Sequence, residues 1–293
     1  SFTASDVHDF AWFASKRWGY ETKRVLVGED EISLRVVGAV PDRKDLDHIQ
    51  TAIEYYSENV GPYPYSHATV VHGELKAGGG MEYPMITLCD YMSKSVIVHE
   101  VGHNWFYGIL ANNERIYPWM DESINSYYEQ QALGADSAGK PDFNTGIILA
   151  LVKDNLLRNK HQAIASSSQE LTAGNYGLSV YGIGAKAFGY LKAYLGDARF
   201  KKCMTNYYEQ WKFKHPLPGD MKRSFELISG EDLSWFFNEL LHTDAKMDYS
   251  ISKRKSGFVI KNKGAVAAPI PVEITRNGMV SKQWVTVPVD EKL

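Results

Sequence analysis

His99 and His103 stand four residues apart in the run His99-Glu100-Val101-Gly102-His103. On a helix that spacing puts both imidazoles on one face, one turn apart, where they can reach a single metal ion. The glutamate after the first histidine, Glu100, would sit beside such a metal without ligating it, as a general base must. A buried helix with two core histidines and a chance glutamate uses the same residues, so the motif needs support from elsewhere. A catalytic zinc ion takes three protein ligands and keeps its fourth position for water. Nineteen residues after His103 lies Glu122, in Pro118-Trp119-Met120-Asp121-Glu122-Ser123. Asp121 and Glu114 are its rivals as third ligand. Asp121 points about 100° around the helix from Glu122, and Glu114 lies in the polar connection Asn112-Asn113-Glu114-Arg115. The spacing favours Glu122. Glu129, seven residues further, shares its face and can take the other ring nitrogen of a ligating histidine, although a solvated glutamate fits there equally.

Two helices must hold these side chains. Ser93 is an N-cap by residue type, and Val96, Ile97, Val101 and Trp105 give the first helix its apolar positions. Pro118 suits the opening turn of the second, which Ile124, Tyr127, Tyr128 and Leu133 continue.

His99-Glu100-Val101-Gly102-His103-Asn104-Trp105-Phe106 followed by Glu122 resembles the gluzincin signature of the aminopeptidase N and leukotriene hydrolase family. Gly79-Gly80-Met81-Glu82-Tyr83-Pro84 resembles the Gly-x-Met-Glu-Asn segment of that family. Val180-Tyr181-Gly182-Ile183-Gly184-Ala185 resembles the segment with its catalytic tyrosine, and Tyr208 through Phe237 its helical end. The resemblance spans roughly residues 1–245. It implies a zinc peptidase with His99, His103 and Glu122 on one Zn2+ per chain, Glu100 as general base and acid, and Tyr181 stabilising the oxyanion.

In Gly78-Gly79-Gly80-Met81-Glu82 the glycines would let a substrate backbone pair with an edge strand. A carboxylate ending that groove, Glu82, can bind a free α-amino group and fix the cut one residue in. The substrate-binding set is thus Gly79, Gly80, Met81 and Glu82, and the expected partners are peptides with a free N-terminus. A flexible surface turn is the simpler reading of the glycines. No Lys-Ser/Thr follows to make a phosphate loop. Several positions depart from the family pattern. Tyr83 replaces its asparagine, Asp121-Glu122-Ser123 its Asn-Glu-Gly, and Tyr107 a glycine after Trp-Phe, while an aspartate usual before the catalytic tyrosine has no counterpart near Ala173.

With 293 residues and 44% hydrophobic side chains, the chain can bury a large core in more than one domain. A net charge of −3 gives no electrostatic case for nucleic acid or anionic membrane. Cys89 and Cys203 read as free thiols, and no apolar run reaches transmembrane length. Starting at Ser1 in mid-pattern, the chain reads as a piece of a longer protein, without the β-rich domain that precedes the catalytic one in the resembling family. Localisation and oligomeric state are not legible.

Residues 22–27 and 32–37 read as strands joined at Gly28-Glu29-Asp30, followed by a helix at 46–58, the breaker Gly61–Tyr65, a strand at 68–72 and another near 81–88. From Ser93 to about Leu241 the signal is helical, with loops at 134–141 and 166–174. After Asp248 short runs at 256–260, 270–274 and 284–287 read as strands. The expected class is α+β: a thermolysin-like catalytic domain over 1–246, made of a mixed-sheet lobe (1–108) and a helical lobe (109–246), then the start of a β-sandwich (247–293). The function this favours is zinc-dependent removal of N-terminal residues from peptides. A catalytically silent zinc-bearing peptide-binding scaffold and an endopeptidase are the alternatives.

Overall fold

The computed structural model describes residues 4–134, 143–255 and 257–289, with backbone only at 143–149. Strands β1 (Gly19–Val27), β2 (Asp30–Gly38), β3 (His67–His72), β4 (Gly80–Met81) and β5 (Ile86–Cys89) form one sheet in the order β1-β2-β3-β5-β4. The β2–β3 and β3–β5 pairs are parallel, and both edge pairs are antiparallel. Period-two alternation buries Ile32, Leu34 and Val36 on one face of β2. Helix α1 (Arg43–Asn59) supplies Leu46, Ile49, Ile53 and Tyr56 to the same core, and Asp42 caps its N-terminus by accepting from Lys44 N. Gly28, at φ 63°, makes the turn between β1 and β2.

The strand expected near 81–88 is two short antiparallel strands instead. Pro84 brings no N–H to a ladder, and Met85 takes φ 62°, which turns the chain back. The consequence is functional, because β4 becomes the edge of the sheet.

Helix α2 (Lys94–Gly102) begins at Ser93, whose Oγ accepts from Val96 N at 3.2 Å. It stops before Trp105, short of the expected length. Asn104 Nδ2 donates to Val101 O at 2.8 Å, a carbonyl that another turn would have used, and its Oδ1 accepts from Met85 N at 2.8 Å. Residues 103–117 are irregular, a longer connection than the polar stretch expected at 112–115. Pro118–Met120 is a 3-10 turn that leads into α3 (Glu122–Ala132).

The helical part continues with α4 (Phe143–Leu157), α5 (Ala173–Asn175), a π-helix at Tyr176–Ile183, α6 (Gly184–Leu195), α7 (Asp197–Trp211) and α8 (Pro218–Ser229), then a π-turn at Trp235–Leu240. Of the expected loop at 134–141, residues 135–141 lie outside the described residues. Both cysteines are buried free thiols. Beyond residue 247, β6 (Tyr249–Arg254) pairs with β7 (Gly257–Asn262), and β8 (Ile270–Arg276) with β9 (Met279–Val285). The expected start of a sandwich stands here as two separate antiparallel hairpins. The run expected at 256–260 is β7, Ser256 being outside the described residues, and that at 284–287 is only the tail of β9. Tyr190 and Tyr194 of α6 set their rings edge-on to Trp284 and tie this region to the helices. No helix among the described residues is long and apolar enough to cross a membrane.

Candidate metal centre and active site

Helices α2 and α3 bring the expected ligands together. His99 Nε2 lies 3.1 Å and His103 Nε2 3.3 Å from Glu122 Oε2, and the two Nε2 atoms are 3.0 Å apart. Three donors around one tetrahedral zinc at about 2.0–2.1 Å stand about 3.3 Å from one another, so the spacing fits. Glu129 Oε2 takes His99 Nδ1 at 3.1 Å, as its helical register predicted. Asp121 Oδ1 takes His103 Nδ1 at 2.6 Å, and Phe106 O lies 3.0 Å from the same nitrogen. Glu82, His103 and Asp121 also cluster closely enough for a metal. That alternative is the poorer, because Asp121 already occupies Nδ1 of the histidine they share. Glu114 is half-buried and outside both groups.

The charges fit a divalent cation. Burial opposes a proton on His99, but hydrogen bonds to Glu122 and Glu129 outweigh it and hold the ring at about 10. For His103 burial is likewise outweighed, by Asp121 and Glu122. Burial works against charge on Glu122 too, and the two histidines overcome it and lower its carboxyl. The carboxylates thus call for positive charge between them, which two protons or one metal ion can supply.

Glu100 faces this group without joining it. Burial pushes its carboxyl up to about 7, and Oε2 has no hydrogen-bond partner among the described residues. Gly80 explains how it fits: a Cβ there would lie 2.4 Å from the Glu100 carboxyl carbon. The glycine expected to admit a substrate backbone is thus needed first to admit the base. β4 pairs with β5 on one side only, leaving Gly80 and Met81 at the sheet edge, and Gly79 in the turn before them at φ 78°. Glu82, next along, is buried, and its carboxylate forms no hydrogen bond or ion pair among the described residues.

Tyr181 comes from the π-helix. Its ring stacks near His99, 5.7 Å between centroids, and its hydroxyl donates to Glu122 Oε1. Burial and Glu122 push the phenol far above its usual value, so it stays a donor. Ser123 Oγ donates to Val180 O at 2.7 Å and ties the π-helix to α3. A Cβ on Gly184 would lie 2.1 Å from Ser123 Oγ, so the helices meet closely here.

Two placements were missed in the sequence. Asn125 Nδ2 donates to His99 O at 2.8 Å while its Oδ1 accepts from Tyr56 OH at 2.7 Å, locking α2, α3 and α1 together. Its position between Glu122 and Glu129 on one helical face was the available signal. Asp121 was weighed only as a ligand. Tyr107 has φ 114°, a region that favours glycine. Its carbonyl accepts from His8 Nε2 at 2.7 Å and its hydroxyl donates to Asp9 Oδ2 at 3.2 Å, contacts that hold it there.

Comparisons with known proteins agree with this geometry. The chain is 25% identical over 294 aligned positions to probable aminopeptidase 2 of Sulfurisphaera tokodaii, an alignment covering 88% of this chain and 37% of that one. Glutamyl aminopeptidase of Rattus norvegicus is 24% identical over 63% of this chain and 21% of its own length. The chain therefore spans well under half the length of these relatives. Among solved structures, Legionella pneumophila aminopeptidase A in complex with aspartic acid superposes with a TM-score of 0.72, at 13% identity, over 94% of this chain and 35% of that one. An M1 zinc metallopeptidase of Deinococcus radiodurans bound to a Tyr-Ser-Ala substrate gives 0.62, at 18% identity, over 77% and 52%. Both show a shared fold. The peptidase family M1 domain itself matches residues 44–240. That match takes in two thirds of the chain and every member of the metal group, and the chain belongs to peptidase family M1, the aminopeptidase family of the gluzincins.

Proposed function

We propose that this chain is the catalytic part of a zinc-dependent aminopeptidase, with a thermolysin-like domain over residues 1–246 and the start of a β-sandwich over 247–293. The observation that carries it is the convergence of His99 Nε2, His103 Nε2 and Glu122 Oε2 beside the buried carboxyl of Glu100. His99, His103 and Glu122 would hold one zinc ion, which supplies Lewis acidity toward a water and a peptide carbonyl. Glu100 takes the proton of the attacking water and returns it to the leaving amine, suited to both by a pKa near the working range. The Tyr181 hydroxyl donates to the developing oxyanion. Glu82 receives the substrate's ammonium at the end of the edge strand, where Gly79, Gly80 and Met81 offer the peptide backbone a partner.

Metal content tests the first half. Purified protein is expected to carry about one zinc per chain. Glu122→Ala should lose most of it, whereas Glu129→Ala should weaken binding about 10- to 100-fold, because it leaves the donors in place. No zinc in chelator-free preparations, and none taken up on titration, would refute the assignment.

The reading direction is tested by comparing peptides with free and N-acetylated ends on one preparation. Free peptides should be cleaved one residue at a time and blocked ones should resist. Glu82→Ala should raise KM chiefly for the free peptides, since it removes a charge-assisted contact to their ammonium. Equal cleavage of both, or internal cuts, would make the enzyme an endopeptidase and leave Glu82 without this role.

A further inference from the structure

The two ligand histidines are held alike. Each turns Nε2 inward and gives Nδ1 to a carboxylate, His99 to Glu129 and His103 to Asp121. The second contact is shorter, 2.6 Å against 3.1 Å, and drier, with both side chains 1% exposed. Asp121 stands at the N-cap of α3, where an aspartate ordinarily accepts from the backbone of its own helix. Here its side chain makes no cap bond, and the carboxylate is turned to His103 instead. Its Oδ2 has no partner among the described residues.

A neutral amide could accept the same Nδ1–H. Burying a carboxylate with one oxygen bare costs more than burying an amide. The 2.6 Å contact to His103, made in place of a cap bond, therefore marks a role at the histidine rather than in α3.

We propose that Asp121 is a positioning residue for the metal centre, orienting His103 and strengthening its Nε2 as a donor, as Glu129 does for His99. The inference rests on the reading of His99, His103 and Glu122 as zinc ligands. Accepting from Nδ1 fixes the tautomer that leaves the lone pair on Nε2. An anionic acceptor also raises the basicity of the ring, and an amide in its place would keep the orientation while losing that basicity.

The test is zinc affinity, read by competition with a chromophoric chelator on metal-stripped protein. Asp121→Asn should raise the zinc dissociation constant about 10- to 100-fold, with Glu129→Gln shifting it by a similar factor. Metal-free Asp121→Asn should keep the wild-type circular dichroism. Wild-type affinity in Asp121→Asn would overturn the proposal and leave the ligand assignment standing, whereas wild-type protein that binds no zinc would overturn both. Should the variant not fold, nitrogen-15 histidine spectra of zinc-loaded wild-type protein decide. Two rings with a metal-bound Nε2 and a strongly downfield Nδ1 proton are expected, and only one such ring would overturn the proposal.

Discussion

Glu100→Gln is expected to bind zinc as the wild type does and to hydrolyse peptides about 100- to 10,000-fold more slowly. The side chain is buried beside the metal group without belonging to it. Burial holds its carboxyl at about 7, where it can both take and return a proton, and Oε2 has no competing partner among the described residues. Glutamine keeps the shape and removes the base. Elemental analysis paired with turnover of aminoacyl-coumarin substrates reads both halves. Wild-type turnover in the variant would remove Glu100 from the reaction. Loss of zinc would make Glu100 part of the metal's support instead.

The local half of this site was legible in the sequence. A four-residue histidine spacing, an N-cap serine and a glutamate seven residues beyond Glu122 are consequences of helical geometry, and α2 and α3 obey them. What lay outside helical periodicity was not legible. Asp121 takes an αR cap conformation with its carboxylate away from its own helix, so an angle counted along α3 could not say what it meets. The irregular run 103–117 follows from a long-range bond between Asn104 and Met85, a pairing that no local pattern encodes. The split between β4 and β5 was signalled by Pro84 but depended on Met85 accepting φ 62°. Gly80 could be singled out in the sequence for its place in the glycine run, but its close approach to the base could not. Its neighbour is Glu100, twenty residues on in sequence, and only packing brings them together.

Tyr181→Phe is expected to lower kcat by about 100- to 1000-fold while leaving zinc content and KM close to wild type. The π-helix at Tyr176–Ile183 sets the ring beside His99, and the bond from Ser123 to Val180 O fixes that element against the ligand helix. The hydroxyl donates to Glu122 Oε1, on the opposite side of the carboxylate from the oxygen that faces the two histidines. It therefore stands beside the group of His99, His103 and Glu122 without joining it. Burial and Glu122 keep the phenol protonated well beyond neutral pH, as an oxyanion donor requires. Removing the hydroxyl costs the resting site one hydrogen bond to a ligand oxygen that does not face the histidines, so zinc should stay. It costs the tetrahedral transition state a donor formed only there, so the loss should fall on kcat. Tyr176, whose ring centroid lies 5.8 Å from that of Tyr181, is the control. Tyr176→Phe should turn over normally. If instead Tyr176→Phe is slow and Tyr181→Phe is not, the oxyanion donor is Tyr176, and the hydroxyl of Tyr181 serves only to orient Glu122.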